Sequence, residues 1–121
     1  MDELVRRLVA TAGIDSTVAE KSVGIILQFL AKEGPADKVQ TLMDMLPGSR
    51  AAVQAAETGG GGMLSMGGVM GAGSRLMGVG LSMGQVQAVT REVIAYAREK
   101  IGEEAVGEIV GAIPGLGQFV R

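Results

Sequence analysis

The sequence predicts an all-α fold: a compact bundle of two related helical hairpins joined by a Gly/Met-rich connector. Three observations carry this prediction. Apolar residues recur three and four positions apart through most of residues 1–58 and 83–113. Glycine, proline and capping residues punctuate those stretches where helices of ordinary length should begin and end. Finally, the pattern of residues 13–48 returns over residues 80–115, shifted by 67 positions with no gap.

The first helix is set by Leu4, Val5, Leu8, Val9 and Ala12, with Glu3, Arg6 and Arg7 on its other side, and it stops at Gly13. Asp15-Ser16-Thr17 opens the second, where Thr17 and Glu20 have capping-box spacing. Ala19, Val23, Ile26, Leu27 and Leu30 form one stripe and Val18, Ile25 and Phe29 another beside it. So wide an apolar face marks a central, mostly buried helix. Gly34-Pro35 ends it and starts a third, with proline at the first helical position. The narrow stripe of that helix is Ala36, Val39, Leu42, Met43 and Leu46, and Pro47-Gly48 closes it. Ser49 is placed to cap a short alanine-rich helix reaching Glu57.

Composition changes at residue 59. Between Gly59 and Gly84 lie 11 of the 20 glycines and 5 of the 8 methionines, with Arg75 as the sole charge. At about 1 kcal/mol per glycine relative to alanine, such a segment is no stable isolated helix. Beyond it, Ser82 and Gln85 have capping-box spacing. Val86, Val89, Val93, Ile94, Ala97 and Ile101 line one face of a long helix, and after Gly102 a shorter helix carries Val106, Ile109, Val110 and Ile113 to Pro114-Gly115.

Laid over each other, the halves match Gly13 with Gly80, Ile26-Leu27 with Val93-Ile94, Phe29 with Tyr96, Val39 with Val106, and Leu46-Pro47-Gly48 with Ile113-Pro114-Gly115. Only four of 36 positions are identical, so the argument rests on stops and stripes that keep register. The expected organisation is one domain over 1–121, with hairpin repeats at 13–48 and 80–115, a connector at 59–79 and pseudo-twofold symmetry. Gly71 to Val79 falls on Leu4 to Ala12, where a short leading helix is expected to recur.

The unit Gly80-Leu81-Ser82 to Pro114-Gly115 resembles those of small all-helical bacterial domains of unknown function: a Gly-Leu-Ser turn, an amphipathic helix, a shorter helix and a closing Pro-Gly. Gly13-Ile14-Asp15 to Pro47-Gly48 matches with Asp15 in place of the serine. The resemblance implies an all-α fold and carries no activity.

Composition narrows the chemistry. With no histidine and no cysteine, the commonest metal ligands and the Ser-His-Asp and Cys-His nucleophile pairs are unavailable. The net charge of -2 has the wrong sign for an electrostatic nucleic-acid binder. Gly78 to Gly84 invites a phosphate-loop reading, but it follows no strand and lacks the Lys-Ser/Thr pair, so turn punctuation is the better account. Met63, Met66 and Met70 offer thioethers to Cu(I), against the commoner role of methionine as an adaptable apolar filler. Residues 63–83 hold 11 apolar residues, but six glycines, three serines and Arg75 make insertion unfavourable, and contact with a bilayer surface stays open. Glu103, Glu104, Glu108, Asp37 and Asp44 read as solvated, and Tyr96 as core or rim.

The remaining expectation is a non-enzymatic, cytoplasmic module for protein–protein contact or homo-oligomerisation, with no cofactor, metal, nucleic-acid partner or transmembrane segment. Its candidate surface is Met63, Leu64, Met66, Met70 and Met77 together with Gly107 and Gly111, which fall where the first hairpin has Gln40 and Asp44. Packing of those two glycines within the chain, against the connector, is an equal reading. The alternative function is binding of a small apolar ligand or lipid in a cavity lined by Met and Leu, with the connector as lid.

Overall fold

The computed structural model describes residues 2–46, 48–58, 68–113 and 115–119. The described residues form helices joined by short connections, in the order α1 (Asp2–Ala12), α2 (Ser16–Glu33), α3 (Ala36–Asp44), α4 (Ser49–Thr58), α5 (Gly68–Gly78), α6 (Met83–Ile101), α7 (Glu103–Ala112) and α8 (Leu116–Phe119). The two long helices are the hubs: α2 packs against α1, α3, α4, α5 and α6, and α6 against α1, α2, α3, α5, α7 and α8.

The wide apolar face of α2 is buried as its two stripes require: Ala19, Val23, Leu27 and Leu30 are almost wholly enclosed, and Ile25, Ile26 and Phe29 join them in the core. Val18 is half-buried at its edge. On α6 the core side chains are Val86, Val89, Val93, Ile94, Tyr96 and Ala97. From α1 come Leu4, Val5 and Leu8, whereas Val9, at 37% exposed, faces outward. Val39, Leu42 and Leu46 near one end of the chain's first half, and Val106, Ile109 and Ile113 in the second, complete the core, while Ala36 is exposed.

Local chemistry explains where the helices begin and end. At α6, Ser82 Oγ accepts from the Gln85 N–H at 3.3 Å and the Ser82 N–H donates to Gln85 Oε1 at 2.9 Å, a complete capping box. The box expected at Thr17 and Glu20 does not form. Asp15 is the N-cap of α2, without a side-chain bond, and Thr17 lies one residue inside the helix, so its hydroxyl has no orphan amide to cap. Pro35 sits at the N-cap of α3, one position earlier than expected. Ser49 is the first residue of α4 rather than its cap. It is buried and donates to the Met43 carbonyl at 3.0 Å, tying the end of α3 to the start of α4.

Residues 68–78 form a helix inside what the composition suggests is a connector. Its four glycines each cost about 1 kcal/mol against alanine, and packing overrides that cost: Gly71 and Leu76 are buried and Ala72 lies against the core. The termination is specific. Leu81 N–H bonds to Leu76 O and Gly80 N–H to Met77 O, with Gly80 at φ +110°, which is a Schellman motif, and Leu76 and Leu81 are both buried.

Several boundaries recur at one spacing. Ser16 and Met83 start α2 and α6, Ala36 and Glu103 start α3 and α7, and Ser49 and Leu116 start α4 and α8, each pair 67 positions apart. The same interval separates the positive-φ glycines Gly13 and Gly80, and Gly48 and Gly115.

Candidate functional site

Of the residues singled out from sequence, Met63, Leu64 and Met66 lie outside the described residues, and Met70 lies in α5 with its side chain outside them. Met77, in the last turn of α5, is 47% exposed. Gly107 and Gly111 are exposed on α7, one helical turn apart. A Cβ built at either would meet no atom within 4 Å, so among the described residues nothing packs there; residues 59–67 of the connector, against which internal packing was the other reading, lie outside them. Beside them Glu108 pairs with Lys38 of α3 at 3.2 Å, an ion pair that holds the Lys38 ammonium above its usual pKa. The contacts set α5 on α2 and α6, and α7 on α3, α6 and α8, so Met77 is not brought together with the two glycines. Met45 and Met83 are also about half exposed, at the ends of α3 and α6.

A second feature is an apolar cleft between α2, α5, α6 and α8. Ile26, Phe29 and Leu30 form one wall, Ala72, Gly73 and Leu76 another, Val86, Thr90 and Ile94 a third, and Leu116 closes one end. The space between them is about 360 Å³, part of it open to solvent. Its closed part is narrow, with room for a water molecule or a methyl group. Among the described residues that line it Thr90 supplies the only hydroxyl, and that group donates to the Val86 carbonyl at 2.8 Å. The walls therefore offer a ligand no free hydroxyl proton, only shape and desolvation. The cavity expected from sequence was to be lined by methionine and leucine; among the described residues Leu30, Leu76 and Leu116 line this one and α5 enters its wall through Ala72, Gly73 and Leu76, while Met63, Met66 and the Met70 side chain lie outside them.

Sequence reasoning missed the polar seam between α1 and α6. Arg7 Nε donates to Glu92 Oε2 at 2.9 Å and Arg7 Nη1 reaches Glu99 at 2.9 Å, while its guanidinium lies 5.1 Å from the centroid of the Tyr96 ring. Lys100 approaches the same ring at 5.2 Å, and the Tyr96 hydroxyl donates to Glu3 at 3.3 Å. Burial pulls the Arg7 pKa down, but the bonds to Glu99 and Glu92 and their negative charge outweigh it and hold the guanidinium above its usual value. These groups are spent on one another, fixing α1 on α6. The available signal was Glu92, an acid at the position where the repeat has the buried Ile25. Tyr96 itself is 4% exposed, as a core position should be.

Among the described residues no helix is long and apolar enough to cross a membrane, and no group of three or more acidic side chains is arranged to hold a metal ion. Comparison with protein-family models, curated proteins and solved structures finds no match to this chain. The likeness of the Gly80–Gly115 unit to small bacterial helical domains therefore brings no assignment with it.

Proposed function

We propose that this protein is a non-enzymatic cytoplasmic module for protein–protein contact, with self-association through the outer side of α7 as its primary mode. The observation that carries this reading is the pair of exposed glycines on α7. A glycine inside an exposed helix lowers stability by about 0.5–1 kcal/mol relative to alanine. Gly107 and Gly111 incur that cost with nothing among the described residues packed on them. A second backbone lying close to α7 is the return that would balance it. The chain has no cysteine, so a single introduced thiol reports contact cleanly. Glu104→Cys, beside the strip, should form a disulfide-linked dimer under mild oxidation faster than Lys21→Cys on α2, and equal rates would count against the reading.

The fold is best understood as two copies of one helical unit related by a pseudo-twofold axis. What supports this is the common 67-residue interval of boundaries and stops, and a pattern of contacts that a twofold would exchange: α1 with α6 against α5 with α2, and α2 with α3 against α6 with α7. In this scheme Gly107 and Gly111 are replacements, in one copy only, of the polar Gln40 and Asp44.

A second reading, binding of a small apolar ligand, is favoured by the cleft that α5 helps to wall. Thermal melts with a panel of lipids and apolar small molecules check it: a ligand that binds the folded state alone raises the melting temperature with concentration. No shift across the panel would remove it.

A further inference from the structure

Under the twofold relation proposed above, the place of α5 on α2 corresponds to that of α1 on α6. α1 lies against α6 and contributes the buried side chains of Leu4 and Val5. α5 lies against α2, and at the corresponding place its residues are Gly71, Ala72 and Gly73. The correspondence does not depend on the register chosen. Aligning the two helices through their stop glycines, Gly13 and Gly80, sets Leu4 and Val5 on Gly71 and Ala72; aligning them through the buried leucines Leu8 and Leu76 sets them on Ala72 and Gly73. The aromatic residues agree. Tyr96 of α6 is bonded to Glu3 and overlain by Arg7, both from α1, whereas its partner in the repeat, Phe29 of α2, lines the cleft. A Cβ at Gly73 would meet nothing within 4 Å.

We infer that the cleft between α2, α5, α6 and α8 is a binding site for a short branched alkyl group of a small molecule, one methyl of which fits the closed part while the rest of the branch lies in the part open to solvent. The inference rests on the second reading above and names its ligand class. A partner helix would need several anchor pockets in a row, and this cleft offers one narrow depression. With Thr90 already bonded to Val86, selectivity comes from shape, and a polar end of the ligand would stay at the open mouth.

The test is a methyl NMR titration of the full chain with 3-methylbutan-1-ol, and separately with decanoic acid as the long-chain comparison. Saturable shifts are expected with the branched alcohol at Ile26, Leu30, Leu76 and Ile94, all of which line the cleft. Gly73→Leu should weaken that binding about tenfold or more by occupying the space, with Ala72→Val as the milder variant if Gly73→Leu does not fold. Gly78→Ala, in the same helix but outside the lining, should leave it unchanged. Saturable binding of decanoic acid without the alcohol, or alcohol binding that survives both filling variants, overturns the inference while leaving the ligand reading standing. No saturable shift with either probe overturns both.

Discussion

At the scale of single residues, the stops were the most legible feature and they carry measurable energy. Gly13 and Gly80 end α1 and α5 with φ of +69° and +110°, a region in which a Cβ meets the neighbouring carbonyl. Gly80→Ala should therefore destabilise the protein by about 1–2 kcal/mol, read from chemical denaturation of the two proteins. An unchanged midpoint would show that the α5 terminus does not depend on the Schellman geometry. The polar residues were harder to place. Arg7, Glu92 and Glu99 meet across helices far apart in sequence, and only tertiary packing decides that Arg7 shares them with the Tyr96 ring. Likewise, spacing alone could not tell that Val9 lies on the outer side of α1 while Val5 is buried.

At the scale of helices, caps separate into those that form and those that merely have the right spacing. Ser82→Ala removes a formed capping box and should cost about 1 kcal/mol, whereas Thr17→Ala, one residue inside α2, should change stability by no more than a few tenths. Thermal melts of both variants decide it; equal losses would contradict the assignment of the α2 N-cap to Asp15. Helix α5 shows why composition misleads. Its glycines argue against an isolated helix, yet Leu76 and Ala72 find the core, and the small residues allow close approach at the expense of an unfilled cleft. On α7 the glycines have no such internal return among the described residues. Gly107→Ala and Gly111→Ala should each stabilise the monomer by about 0.5–1 kcal/mol, and a loss of stability would reveal an intramolecular role for them.

At the scale of the molecule, the order of long and short helices was legible because stops and apolar stripes are local. The partnering of α1 with α6 and of α5 with α2 was not, because nothing local says which long helix a leading helix will cover. The ion pairs across these seams set a weak pH dependence. Arg7 and Lys38 are both held above their usual pKa values, so what they contribute is fully present below the unfolded value and is lost only as pH rises through the folded one. The melting temperature should accordingly stay level between about pH 7 and 9, measured by circular dichroism; a steep decline in that window would contradict the assignment of these partners. Lys38 and Glu108 are exposed enough that salt should screen their pairing.

The central claim is that the glycines of α7 are kept for contact between molecules. Sedimentation equilibrium over a wide concentration range, on the full chain and on the double variant Gly107→Gln/Gly111→Asp that restores the residues found on α3, tests it directly. The account predicts a mass rising above 12.4 kDa with concentration in the parent chain and staying at the monomer value in the variant. A parent chain that stays monomeric throughout, or an association the two substitutions leave intact, would contradict it.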